Sequence, residues 1–373
     1  MSKKLKFLII AGARPNFMKV APIIHQIRTR SNNTNESDDK TIEYRLIHTG
    51  QHYDEKMSEI FFEELGIPSP DVNLGVGSGS HAIQTANLMA KFEPVCEHEK
   101  PDWVIVVGDV NSTMACTLVC SKLGIKVAHV EAGLRSFDRN MPEEINRIVT
   151  DSLADLLLTP SFDANENLKR EGIPDSKIKL VGNIMIDALI ANLEKVRVSK
   201  ILNRLGLEKK RFVYVTLHRP SNVDHKIELT MIMSVLKSIA IKLPVVFPMH
   251  PRTRKMCEQF NISLDEHKGL HVIEPLGYHD SLCLTESARF ILTDSGGIQE
   301  ESTFFRTPCL TLRPNTERPI TITMGSNKLT SVDELTTDID KILCGRTEMG
   351  EIPPLWDGKT AQRIIDSIIN ASS

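Results

Sequence analysis

The sequence predicts an α/β protein made of two doubly wound parallel sheets, and three observations carry that expectation. Short, nearly continuous apolar runs alternate with amphipathic stretches. The alternation occurs twice, in two series separated by a polar, helix-forming stretch at about 189–210. Ionisable or phosphate-friendly residues follow almost every apolar run. A strand buried on both faces reads as an unbroken apolar run, the mark of a parallel sheet covered by helices. Open parallel sheets bind ligands at the carboxyl ends of their strands, where these residues fall.

In chain order, residues 5–11 read as a buried strand and 17–27 as an amphipathic helix. Residues 29–40 are polar, turn-rich and without apolar period, so they read as an exposed loop. Strands follow at 44–48, 103–107, 127–130, 156–158 and 178–181, with helices at 81–92, 112–123 and 143–153. The second series places strands at 212–215, 245–247, 270–273, 290–292 and 309–312, with helices at 227–241, 298–305 and 332–343. A last amphipathic stretch, 360–369, has no strand after it and could pack back on either domain.

Composition narrows the function classes. The chain has 373 residues, Lys+Arg 45 against Asp+Glu 48, and a formal charge of −3. At roughly 150 residues per domain that length suits two or three domains. The near-neutral balance and the lack of a basic run argue against a nucleic-acid partner. No run of about 18 apolar residues exists, so no membrane span is expected. The N-terminal residues lack the longer apolar core of a signal peptide. Seven cysteines are scattered without a CxxC, which fits free thiols in a reducing cytoplasm.

The strand ends hold the candidate chemistry. Asp294-Ser295-Gly296-Gly297 opens a helix, whose unpaired amides and dipole suit a phosphate. An ordinary helix cap with turn glycines would look the same. Arg14, Lys19, Arg219 and Arg313 are cations that could accompany a diphosphate. Asp109, Glu131 and Glu143 lie near the rim of the first sheet, and carboxylates in unlike environments can divide into acid and base. They could equally cap helices, and Glu143 with Arg147, four apart, could be a surface ion pair. His218 ends a strand of the second series and can relay protons near neutral pH. The histidines and cysteines show no metal-ligand spacing, and Asp338-Ile339-Asp340 falls within a helical pattern away from strand ends. No metal is therefore expected. The first strand leads into Gly12-Ala13-Arg14-Pro15, not GxGxxG, and no Tyr has a Lys four residues on. A nicotinamide cofactor is therefore not expected either.

These residues also form an ordered set of motifs. They are Gly12-Ala13-Arg14-Pro15 with Lys19, Thr49-Gly50-Gln51-His52, Gly108-Asp109, His129-Val130-Glu131-Ala132-Gly133-Leu134-Arg135, and Pro142-Glu143-Glu144 with Asn146-Arg147. Gly182-Asn183 with Asp187-Ala188, His218-Arg219, and Thr293-Asp294-Ser295-Gly296-Gly297-Ile298-Gln299-Glu300-Glu301 complete the set. From about residue 5 to 325 the chain resembles the non-hydrolysing UDP-N-acetylglucosamine 2-epimerases. The resemblance implies a GT-B fold, with two Rossmann-like domains and a cleft between them. Residues 1–188 would form the N-terminal domain, joined by a returning helix at about 357–373, and 189–356 the UDP-binding domain. It further implies interconversion of UDP-GlcNAc and UDP-ManNAc without a cofactor, usually by a cytoplasmic homodimer whose product feeds surface polysaccharides.

By that resemblance, Asp109, Glu131 and Glu143 are the acid/base carboxylates, with Asp109 favoured as the base at C2, and His218 stabilises the leaving diphosphate. Arg14, Lys19 and Arg147 would line the sugar and phosphate pocket. Ser295 and the Gly296 and Gly297 amides would hold phosphate oxygens, and Glu301 the ribose. Gln51, Arg135, His250, Tyr278 and Arg313 complete the implied substrate-binding set, with uracil near Tyr278. The chain departs from the commoner motifs at Gly12–Lys19 and Gly108–Asn111, and residues 52–54 and 77–81 lack the Arg or Gln of members with an activator site. Two rivals share most of these motifs: a hydrolysing 2-epimerase, which opens with a different loop, and a 2-epimerase acting on a UDP-diacetamido uronic acid.

Overall fold

The computed structural model describes residues 4–33, 41–50, 66–264, 267–347 and 349–372. The chain divides into two compact units, Met1–Ala188 with Pro354–Ser373, and Leu189–Pro353.

Unit 1 is built on β1 (Leu5–Ala11), β2 (Ile42–His48), β3 (Val72–Asn73), β4 (Trp103–Val107), β5 (Lys126–Val130), β6 (Leu156–Thr159) and β7 (Ile178–Leu180). They form one parallel sheet in the order β3-β2-β1-β4-β5-β6-β7. Period-2 alternation sorts the side chains to two cores. Phe7, Ile9, Ile105 and Val130 meet the helices Arg14–Asn33 and Thr360–Asn370 on one face. Leu8, Ile10, Val104 and Val106 meet Phe92, Cys116 and Val119 on the other.

Unit 2 repeats the plan with β8 (Val213–Thr216), β9 (Val245–Pro248), β10 (Leu270–Ile273), β11 (Phe290–Thr293), β12 (Cys309–Leu312) and β13 (Asn327–Thr330). Their order is β10-β9-β8-β11-β12-β13, again parallel. Leu229, Ile232, Met233 and Leu236 of helix Lys226–Ala240 cover one face. Each sheet therefore has a switch point where the chain reverses its direction of travel, at β1/β4 and at β8/β11. Ligands of such sheets bind outside the carboxyl ends at that point.

The C-terminal stretch completes unit 1. Ile364, Ile365 and Ile368 are fully buried against helix Arg14–Asn33 and the sheet, each contributing about 1.5–3 kcal/mol. Asp187 accepts from the Thr360 and Ala361 amides at 3.1 and 2.7 Å, so the cap of this helix comes from a distant segment.

Two sequence expectations change, and the Asp338-Ile339-Asp340 motif lies in a helix as expected. The polar residues 29–33 continue the helix, and Asp366 of the returning helix pairs with Arg30 there at 2.8 Å; residues 34–40 lie outside the described set. β13, with only one aliphatic residue, is held by Asn327, which accepts from Thr311 and donates to Gln299 and Thr321. Asp338 is committed to Lys328, Thr330 and Lys341. Among the described residues no helix is long and apolar enough to cross a membrane.

Candidate active site

At the β1/β4 switch point of unit 1, Asn16 builds the first turn. Its side-chain oxygen accepts from the Gly12 and Ala13 amides at 3.0 and 2.8 Å, and its amide donates to the Val107 carbonyl at 3.0 Å. This brings Lys19, one turn into the helix, against Glu131 at the end of β5, and their side chains pair in a buried contact. Gly108 must stay small there: a Cβ would lie 2.7 Å from Lys19 Nζ, and φ is +69°. Glu131 has a left-handed backbone, φ +70°, which is uncommon for a residue with a side chain. Its second carboxylate oxygen is buried without a hydrogen-bond partner. Such an atom costs free energy unless something else claims it, and functional sites are where it persists.

Asp109 is half-buried beside this pair, and Arg147 holds its carboxylate. The Asn146 amide supports the Asp109 carbonyl at 2.9 Å. Arg147 also donates to Glu144 at 3.0 Å, and Glu144 accepts from the Ser136 and Phe137 amides at 3.0 and 2.9 Å. Burial alone would raise the Glu144 carboxyl, but these amides and the guanidinium outweigh it and hold it low. Arg147 thus pairs with Asp109 and Glu144, and the surface pair with Glu143 is not what the helix makes. Glu143 is exposed and lines a cavity of about 270 Å³ with Ala13, His81, Gln84, Asn111 and Asn146.

Arg135 does not reach this edge. It is 2% exposed and its guanidinium is taken by Asp151 at 2.7 Å and by Glu171 through two bonds of 2.7 Å. Its charge is neutralised inside the unit, where it braces the turn after Glu131 against Asp151 and Glu171. Arg14 opens helix Arg14–Asn33, and its side chain is outside the described set, as is Gln51.

In unit 2 the β8/β11 switch point is organised by Asp294, which is fully buried. It accepts from the His218 and Arg219 amides at 3.0 and 2.8 Å and from Asn222 at 3.0 Å. His218 Nδ1 lies 3.1 Å from Asp294 Oδ1, which turns the opposite ring edge, Nε2, outward. Burial raises Asp294, and His218, the Arg219 amide and Asn222 more than reverse it. His250 lies with its ring 5.7 Å from that of His218, and burial together with the nearby His218 pushes its basicity down.

Ser295 precedes helix Gly296–Phe304 without a side-chain capping bond, and the first helical residues are the two glycines. A Cβ at Gly296 would lie 2.8 Å from Arg318 Nη1, so a guanidinium stands over the helix N-terminus. Arg318 pairs with Glu317 and with Glu300, the latter at 3.0 Å. Arg313, the cation expected here, is instead buried behind Glu317 at 2.8 Å. Arg318 thus stands beside Gly296, and Arg313 backs Glu317. Glu301 is buried, and burial with the neighbouring Glu300 charge pushes its carboxyl up to about 8. Tyr278, at the start of its helix, has a buried hydroxyl whose acidity burial and Glu301 suppress.

Sequence reasoning missed Asn16 and Arg318 as site residues, and named Asn146 and Asp294 only as parts of motifs without a role of their own. Asp294 and Arg318 did carry a signal, an acidic residue closing an apolar run and an arginine just before Pro319.

Comparison with known proteins gives the same direction. The family model described as UDP-N-acetylglucosamine 2-epimerase matches residues 35–369. A UDP-N-acetylglucosamine 2-epimerase of Methanocaldococcus jannaschii is 43% identical over 97% of this chain and 98% of its own length. A UDP-2,3-diacetamido-2,3-dideoxy-D-glucuronate 2-epimerase of Pseudomonas aeruginosa is 38% identical over 97% of this chain and 99% of its own. The crystal structure of the M. jannaschii enzyme in complex with UDP-GlcNAc and UDP superposes with a TM-score of 0.86 and 41% identity, covering 98% of this chain and 100% of that one.

Proposed function

The chain belongs to the UDP-N-acetylglucosamine 2-epimerase family, and from that premise we propose that it interconverts UDP-GlcNAc and UDP-ManNAc by eliminating UDP and adding it back. The observation that carries this is the pair of carboxylates at one strand-end cluster of unit 1. Asp109 is held by Arg147, and Glu131 by Lys19 with one oxygen unclaimed.

The chemistry asks for such an arrangement. C2 of the sugar is not next to a carbonyl, so its proton is not acidic enough for simple enolisation. When the C1–O bond breaks, its electron pair leaves with the diphosphate and positive charge grows at C1. The C2 proton then passes to a carboxylate, Asp109 in this reading, and the C–H pair becomes the C1–C2 double bond of a 2-acetamidoglucal. Return needs a proton delivered to the other face of C2, from Glu131 or Glu143, and attack of diphosphate oxygen at C1. Two acids in unlike surroundings suit that division.

The departing anion needs fixed positive partners. Unit 2 offers the Gly296 and Gly297 amides, Ser295, Arg318 and His218 Nε2 for this, and Glu301 with the segment before Tyr278 for the nucleoside. Lys19 and Arg14 would serve the sugar and phosphate in unit 1. The finer expectations of a homodimer, a cytoplasmic site and a product destined for surface polysaccharide go with this reading, and the family membership supports them.

The test is incubation with UDP-GlcNAc alone. Epimerisation gives UDP-ManNAc with no acceptor present and no free sugar. Release of ManNAc with UDP would mark a hydrolysing enzyme. Inertness toward UDP-GlcNAc with turnover of the diacetamido uronate nucleotide would move the substrate to the class of the P. aeruginosa relative.

A further inference from the structure

We propose that the buried His129–Asp151 pair is a positioning device for Asp109, and so for proton removal at C2; the proposal rests on the C2-epimerase reading above. His129 is fully buried on β5, and both of its ring nitrogens face oxygens. Nδ1 is 2.6 Å from Asp151 Oδ1, and Nε2 is 2.8 Å from the Gly108 carbonyl. That carbonyl belongs to the peptide leading into Asp109, so the ring holds the backbone from which the base projects.

Asp151 and Arg147 lie four apart on helix Pro142–Leu153 and share a face. Arg147 grips the Asp109 carboxylate. One helix therefore fixes Asp109 three times: at its side chain through Arg147, at its own carbonyl through Asn146, and at the preceding peptide through Asp151 and His129. The other Asp151 oxygen takes the Gly133 amide at 3.0 Å and Arg135 at 2.7 Å. It thereby pins the turn that follows Glu131. A single buried carboxylate ties together the turns that carry both Asp109 and Glu131.

The charges around the pair are Arg135, Glu171 beyond it, and the Asp109–Arg147 contact. Burial would raise the Asp151 carboxyl, but His129 and Arg135 outweigh it and hold it ionised. A local structural pair would have no need to span from helix to catalytic turn; His129 uses both nitrogens on that span.

Two variants separate the bonds. His129→Gln keeps an N–H near the Nε2 position and so the bond to Gly108. His129→Asn keeps one near Nδ1, toward Asp151, and gives Gly108 up. We expect the Asn variant to lose about 10–100-fold in kcat, since a small misplacement of a reacting group costs that much. KM and the Kd for UDP should stay within about twofold, and the Gln variant should recover most of the loss. Wild-type kcat in the Asn variant, equal losses in both, or a matching loss of UDP affinity would overturn the proposal. A readout on the unaltered enzyme stands independently of how the variants fold. In a ¹⁵N-histidine spectrum Nε2 of His129 should carry a proton, donated to the Gly108 carbonyl and protected from solvent; an unprotonated Nε2 would refute it. Asp109→Asn is the control. If that variant is fully active the base assignment itself fails, whereas if it is inactive and His129→Asn is normal only the positioning fails.

Discussion

Asp109 and His218 each stand at a strand end with one partner that fixes their direction, Arg147 for the first and Asp294 for the second. Replacing either removes a charge or donor without opening a core. Asp109→Asn and His218→Ala should therefore each lower kcat by about 10²–10³ or more, the usual cost of one such group. UDP affinity, measured by calorimetry, should change little in Asp109→Asn. The position of Asp109 and His218 at strand ends was legible in the sequence, because both are polar residues that follow apolar runs. Which arginine does what was not. Arg135 and Arg147 read alike in sequence, and only the folded chain brings Asp151 and Glu171 to Arg135 and leaves Arg147 for Asp109. Arg313 and Arg318 differ in the same way through their shared partner Glu317.

Helix Gly296–Phe304 carries its own pH signature. Glu301 has an ordinary value of 4.5 and is pushed up to about 8, chiefly by burial and further by Glu300. Between those values the folded chain holds a proton that the unfolded chain has lost. This stabilising contribution is full at low pH and disappears as pH rises through the folded value. Wild-type Tm should accordingly fall from about pH 5 to about pH 8 more steeply than that of Glu301→Gln in thermal melts. The terminal helix Thr360–Asn370 supplies a second test. Asp187→Ala removes the acceptor of its first amides, and should lower stability by about 1 kcal/mol in denaturant unfolding, the usual worth of a cap. The long apolar strands were legible element by element, since burial on both faces imprints itself on composition. The polar helix end at 29–33 and the edge strand Asn327–Thr330 were not, because the contacts made there by Asp366, Gln299 and Thr311 come from other elements of the chain.

At the scale of the whole molecule the residue list divides by unit. Unit 1 carries Asp109, Glu131, Glu143 and Lys19, and unit 2 carries His218, Ser295, Glu301 and Arg318. The two sets should respond differently in the full-length chain. Arg318→Ala should weaken UDP binding by tenfold or more, as expected for a charged hydrogen-bond partner worth about 1.5–3 kcal/mol. Variants of the unit 1 carboxylates should lose turnover and keep UDP. Two sheets were legible because the apolar alternation occurs twice. The crossing of residues 354–373 back into unit 1 was open from the amphipathic pattern, which does not say which surface a helix covers, and was implied only by the family resemblance. The central claim is that UDP leaves C1 while the C2 proton passes to a carboxylate of the enzyme. A proton NMR time course of UDP-GlcNAc with the enzyme in D₂O tests it most directly. Deuterium should enter C2 as the manno isomer accumulates; a manno isomer that retains its original C2 proton, or no manno isomer at all, would contradict the account.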